Sequence, residues 1–184
     1  MSSAPLFSIR IATPADTPAL HQLIERSVRG LQARDYTPRQ IEGALGHTLG
    51  LDTQLIDDRT YFVAEPVSQP GVLAGCGGWS FRKTLFGSDH GPARAAAVLH
   101  PHNDAAKIRA IFVHPAWARR GLGSLLLAHC EQAAQSAGFL RFEMGSTLTG
   151  VPLYILRGYR ELDRIEVPLP NGELLPVIRM TKSL

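Results

Sequence analysis

The sequence predicts an α/β fold in which a central mixed, mostly antiparallel sheet with one parallel strand pair is flanked by helices. Three observations carry this. The apolar run Ile111-Phe112-Val113 passes through a basic glycine turn into a leucine-rich helix and then a second strand at 140–144, a crossover that implies parallel pairing. Residues 60–67 and 72–81 flank Ser68-Gln69-Pro70-Gly71, whose turn chemistry makes them an antiparallel hairpin. A second hairpin is expected from 159–169 and 173–180 across Pro170-Asn171-Gly172.

The elements follow in order. Residues 7–12 alternate well enough for a first strand, and Thr13-Pro14-Ala15-Asp16 combines an N-cap, a helix-starting proline and a capping acid. The helix that follows is expected to reach about Arg34, with Leu20, Leu23, Ile24, Val28 and Leu31 on one stripe. Thr37-Pro38-Arg39-Gln40 repeats the start signal, so a second helix should run through Ile41 and Leu45 towards Leu49. Gly75, Gly77 and Gly78 weaken the strand at 72–81 and suggest a bulge or a close neighbour. Residues 82–103 lack periodicity and read as a long loop. A central strand is expected at 105–114, a helix at 121–137 stopped by Gly138, and a short helix at 152–156.

With 184 residues, 45% of them apolar, the chain is expected to form one domain over 1–184 around a single core. No apolar run approaches a membrane span, and the first ten residues lack a secretory pattern, so a cytosolic protein is expected. Cys76 and Cys130 lack metal-ligand spacing and read as buried reduced thiols. His90, His100 and His102 have no carboxylate or thiol beside them at ligand spacing, so no metal is expected. The net charge of +3 comes from scattered basic residues with no aromatic stripe, which argues against nucleic acid and for a polyanionic small cofactor.

The cofactor site is read from Arg119-Arg120-Gly121-Leu122-Gly123-Ser124. A glycine turn opening a helix aims unpaired N–H groups outward at the positive end of the helix dipole, a geometry suited to an anion. Glycine at 121 and 123 lets phosphate oxygens approach the main chain, and the two arginines add charge at the rim. A dinucleotide fingerprint needs a third glycine and a later acidic residue, and a P-loop needs Gly-Lys-Ser/Thr; neither is present.

This segment, after the strand ending in Val113, resembles the acetyl-CoA-binding motif of the GNAT superfamily of N-acetyltransferases, with Ala118 where the family usually has Gln or Arg. Tyr154 with Gly158 and Tyr159 resembles the family's later motif, and Thr147 stands where Asn is common. The resemblance implies the GNAT fold, in which the strands before and after the cofactor helix splay apart. It implies that pantetheine bonds to the main chain of Ile111, Phe112 and Val113 and to Thr147, and that pyrophosphate lies on the amides of residues 119–124. Tyr154 then returns a proton to the departing thiolate of acetyl-CoA, the co-substrate.

Transfer requires a neutral amine, so a proton acceptor is needed. Many relatives place Glu in the strand before the turn, where this chain has Lys107 and Arg109. Glu143 is the candidate base by topology, with Asp89, Asp104 and His90 behind it, although pairing with Arg141 or Lys107 is the simpler role for Glu143. Tyr36, Trp79, Phe81 and Arg82 are candidates to line the pocket for a small-molecule amine acceptor. A non-catalytic acyl-CoA sensor on the same fold and a nucleotide-binding protein stand as alternatives. The terminal hairpin leaves an edge for a possible homodimer.

Overall fold

The computed structural model describes residues 6–91 and 97–184, so residues 92–96 of the predicted loop lie outside the described part. Among these residues seven strands form one sheet: β1 (Phe7–Ile11), β2 (Tyr61–Pro66), β3 (Gly75–Ser80), β4 (Ala106–Val113), β5 (Arg141–Thr147), β6 (Arg160–Pro168) and β7 (Leu174–Ser183). Their order is β1-β2-β3-β4-β5-β7-β6, antiparallel throughout except for β4 with β5. The parallel pairing is brief, with registers only at Ala106↔Phe142 and Lys107↔Glu143. Beyond those residues β4 and β5 part, and a cleft opens between their C-terminal ends.

Alternation along the strands feeds two cores. Tyr61, Val63 and Cys76 face a cluster with the helices α1 (Thr17–Leu31), α2 (Pro38–Ala44) and α3 (Thr53–Asp57). Phe62, Phe142 and Met144 face the other side, against Leu127, Cys130 and Ala134 of helix α4 (Leu122–Ser136). A short helix, α5 (Val151–Leu156), lies at the end of β5 and places Tyr154 in that second cluster. No helix among the described residues is long and apolar enough to cross a membrane.

Several boundaries differ from expectation. Helix α1 stops at Leu31 rather than near Arg34, because the chain turns to bury Tyr36. The Tyr36 hydroxyl donates to Pro176 O (2.7 Å) and accepts from Leu148 N (2.8 Å). Helix α2 ends at Ala44, where Leu45 turns extended and Gly46 takes a φ of 74°, so it does not reach Leu49. Helix α3 was not anticipated, although Asp52 is its N-cap and accepts from Gln54 N (3.1 Å). Strand β3 is shorter than the predicted 72–81.

The start of α1 yields a pH prediction. The Arg10 guanidinium grips both Asp16 carboxylate oxygens at 2.8 Å, while Thr13 N–H donates to Asp16 Oδ2 (2.8 Å). The Arg10 bonds, reinforced by Thr13 and opposed by burial, hold the Asp16 carboxyl at about 2. A depressed folded pKa contributes stability above the unfolded value, near 4, that is lost as pH falls towards 2. Denaturant titration of Asp16→Asn should therefore show a deficit against wild type at pH 6 that shrinks by pH 2. An equal deficit at both pH values would mean the Arg10 contact has no such linkage.

Candidate active site

Strand β4 is bulged where the cleft opens. Its register with β3 jumps from Gly78↔Arg109 to Cys76↔Phe112, so Ala110 and Ile111 together oppose Gly77. Ala110 has a φ of 52°, a left-handed conformation that costs a non-glycine residue roughly 1–2 kcal/mol. A Cβ on Gly77 would stand 2.9 Å from Ile111 Cγ1, so this glycine makes room for the bulge. The Tyr61 hydroxyl lies 3.0 Å from Ala110 O. The N–H on the far side of a trans peptide points opposite to the carbonyl, so Ile111 N–H points away from Tyr61. Ala110 and Ile111 both line the cleft.

His114 N–H donates to Ala74 O (2.8 Å), and the alternation of an antiparallel ladder then turns the main chain of Phe112 towards β3 and that of Val113 away from it. Val113 N–H meets Ser27 Oγ of α1 at 3.3 Å. Of the three residues expected to pair with pantetheine, Phe112 thus reaches the cleft by its side and not by free main-chain groups.

The turn into α4 has the expected donor geometry. Gly121 is the N-cap with a φ of 80°, and Arg119 has a φ of 63°. The first main-chain bond into the helix is Leu125 N–H to Gly121 O (3.0 Å); the Arg120 amide closes a turn on the residues before it, and the amides of residues 121–124 have no main-chain acceptor among the described residues. A Cβ on Gly121 would meet nothing within 4 Å, whereas one on Gly123 would stand 3.1 Å from Leu153 Cδ2. The two glycines therefore differ: Gly121 serves the turn, and Gly123 lets α5 pack close to α4. Ser124 Oγ accepts from Arg157 Nε (3.1 Å) at the end of α5, and the Arg120 guanidinium lies 5.0 Å over the Trp117 ring.

Tyr154 and Thr147 line the same cleft as Ile111 and Phe112. Tyr154 is buried, its ring edge against Tyr159 at 5.9 Å, and a Cβ on Gly150 would collide with its Cε2 at 2.7 Å. Burial, with a smaller contribution from Cys130, pushes the Tyr154 hydroxyl well above its ordinary value, so it keeps its proton. Burial likewise raises the Cys130 thiol, and raises Cys76 to about 12 against bonds from Tyr61 and Phe112 N–H; neither is an activated nucleophile.

Other expected residues are placed elsewhere. Glu143 is bonded to Lys107 Nζ and to Arg179 Nε (2.6 Å) and is not among the cleft-lining residues. Burial raises its carboxyl, but Lys107 and Arg179 outweigh burial and leave it below its ordinary value. Such a carboxylate is a poor base, because it sits in the parallel register of β4 and β5 between two cations. Tyr36 is engaged with Pro176 and Leu148, Trp79 packs on Phe139 at 5.9 Å and Phe81 at 6.0 Å, and Arg82 forks onto Asp58. None of these four lines the cleft.

Instead the cleft is walled by Gln32, Thr48, Leu49, Gly50 and residues 85–87. Ser88 Oγ donates to Gly46 O (2.7 Å), and Arg109 donates to Thr84 O (3.0 Å), Gly87 O (2.9 Å) and Asp52 Oδ2 (2.8 Å), so this part of the predicted loop is a fixed wall. The signal in the sequence was a lone arginine in an apolar strand, whose burial demands a carboxylate partner. Asp89 and His90 line an adjoining hollow that shares Leu49 and Gly50 with the cleft. Asp104 is turned to the His100 N–H (2.8 Å) and stands in neither.

Known structures share this fold. A GCN5-related N-acetyltransferase from Rhodopseudomonas palustris aligns over 100% of this chain and 99% of its own at 22% identity and a TM-score of 0.71. The PaiA N-acetyltransferase from Thermoplasma acidophilum, solved with coenzyme A, aligns over 97% and 99% at 14% identity and a TM-score of 0.63. YncA from Salmonella typhimurium, solved with acetyl-CoA, aligns over 97% and 94% at 18% identity and a TM-score of 0.62. Comparison with curated proteins finds no match. The family described as acetyltransferase (GNAT) matches residues 25–157, a span that contains the bulged strand, the donor turn and Tyr154. The chain therefore belongs to the GNAT acetyltransferase family.

Proposed function

We propose that the protein is an acetyl-CoA-dependent N-acetyltransferase that passes the acetyl group directly to a primary amine on a small-molecule acceptor. The observation that carries this reading is the cleft where β4 and β5 part, lined by Ile111, Thr147 and Tyr154, together with the donor turn that opens α4, whose Gly123 packs against Leu153 beside Tyr154 on α5. Diphosphate on the turn and pantetheine in the gap bring the thioester to the bulge. The Ile111 N–H then bonds the carbonyl oxygen as it gains charge, and Tyr154 donates to the sulfur as the C–S bond breaks. The amine nitrogen forms the new C–N bond and releases its proton, while the thiolate is protonated.

No Asp or Glu lines the cleft among the described residues, so the base role assigned to Glu143 is better carried by Asp89 or His90 in the adjoining hollow, acting through solvent. The same shortage favours a small amine over a polycation, and it is also the feature a non-catalytic sensor would share. Calorimetry with acetyl-CoA, ATP and NAD, followed by thiol release with a panel of amines, separates the three readings. Binding of acetyl-CoA alone, with amine-dependent thiol release, is expected. Binding without release from any amine supports the sensor, and no heat with acetyl-CoA removes the proposal.

Gly121 provides a sharper check on the diphosphate. With open space where its Cβ would point but a φ of 80°, Gly121→Val should strain the turn by roughly 1–2 kcal/mol and block the approach of phosphate. Gly121→Asn tolerates the left-handed backbone better and keeps most of the block. Affinity for coenzyme A should fall at least about tenfold in both variants, with a smaller Tm loss for Asn. Unchanged affinity in the Asn variant would leave the glycine a role in folding only.

A further inference from the structure

The bulge in β4 needs a device to hold it, and the residue that touches it from beneath lies on β2. Tyr61 is fully buried, and its hydroxyl lies 3.0 Å from Ala110 O and 3.1 Å from Cys76 Sγ. The hydroxyl has one proton, and the carbonyl is the stronger acceptor; the buried thiol can supply the second bond. Gly78 makes this possible, because a Cβ there would stand 2.7 Å from Tyr61 Cδ2. Ala110 meanwhile keeps a φ of 52° that an alanine leaves readily unless its peptide is tied down. The same peptide carries the Ile111 N–H, on the side opposite the tied carbonyl.

We infer that Tyr61 is a positioning residue for the reaction: by holding the Ala110 carbonyl it aims the Ile111 N–H at the thioester carbonyl of the bound acyl group. The inference rests on the proposed acetyl transfer, since it assigns a support to one of that reaction's donors. Tyr61 itself touches neither substrate nor cofactor; Cys76 orients its hydroxyl. The ordering is physical. Releasing the carbonyl lets Ala110 relax towards an ordinary strand conformation, which swings the amide out of the cleft while the diphosphate turn, two strand residues and a helix entry away, is left as it was.

The test needs no knowledge of the acceptor amine. Acetyl-CoA labelled with 13C at the carbonyl is bound to wild type, Tyr61→Phe, Cys76→Ala and Tyr61→Phe/Ala110→Gly. The carbonyl stretch is read by infrared difference spectroscopy, with affinities for acetyl-CoA and for free CoA measured in parallel. In wild type the stretch should move to lower frequency than in solution. In Tyr61→Phe it should return most of the way, and the preference for acetyl-CoA over CoA should fall by about three- to tenfold, with CoA affinity itself unchanged. Glycine adopts positive φ freely, so the double variant should recover part of the shift. Cys76→Ala should show a smaller loss and covers the case in which Tyr61→Phe does not fold. A wild-type shift that survives both Tyr61→Phe and Cys76→Ala would overturn the inference while leaving acetyl transfer standing. No acetyl-CoA binding by wild type would remove the functional reading and this inference with it.

Discussion

Replacing Tyr154 with Phe is expected to lower the rate of thiol release from acetyl-CoA by about 10²-fold while changing acetyl-CoA affinity by no more than about twofold. The ring stays: Phe keeps the contact with Tyr159 and the fit against Gly150, so packing in the second core is preserved. Only the hydroxyl is lost. In a buried site a hydrogen bond to a developing thiolate gains strength because little solvent competes for it, and Tyr154 retains its proton because burial opposes ionisation. Single-turnover thiol release, compared with calorimetric affinity, separates the chemical step from binding. A loss confined to affinity would make Tyr154 a cofactor-packing residue. A rate within a factor of three of wild type would assign protonation of the sulfur to another group.

Arg109→Met should give the largest loss of stability, about 3–5 kcal/mol, or on the order of 10 °C in Tm for a chain of this size. Arg109 and Asp52 have side chains 3% and 4% exposed and meet at 2.8 Å, and the same guanidinium serves the Thr84 and Gly87 carbonyls. Methionine fills much of the volume but leaves the buried Asp52 without this cation and withdraws donors from both carbonyls. The wall formed by residues 85–87 should loosen with it, so acceptor KM should rise more than acetyl-CoA affinity falls. Asp52→Asn/Arg109→Met should recover part of the stability, because the buried carboxylate charge is removed along with the guanidinium that faced it. Equal Tm for Arg109→Met and wild type would mean that solvent replaces the pair without cost.

The parts of the site legible in the sequence are those whose geometry is local. The turn from Arg119 to Ser124 has its conformation set by Gly121 and by the helix that follows, and α4 occupies 122–136 against an expected 121–137. Tyr154 is singled out by the resemblance of its segment to the family's later motif, and it lies with Gly158 in one short helix and its stop. The crossover from β4 through α4 to β5 follows from chain chirality and twist. Less legible were stops set by burial elsewhere, such as the end of α1, which depends on Tyr36 reaching Pro176 across 140 residues. Glu143 was placed near the chemistry by strand order alone, and strand order does not say which end of a strand faces the cleft. Its partners Lys107 and Arg179 are each 36 residues away.

By itself the sequence determined the order of the sheet-forming elements, the donor turn and the family resemblance, because apolar periodicity, glycine conformation and helix polarity act within a few residues. Only the tertiary structure decided where β4 bulges, which carbonyl Tyr61 holds, which strand claims the Phe112 main chain and which carboxylate neutralises Arg109. Those outcomes depend on contacts between residues tens of positions apart, whose geometry exists only once both sides of the sheet have packed.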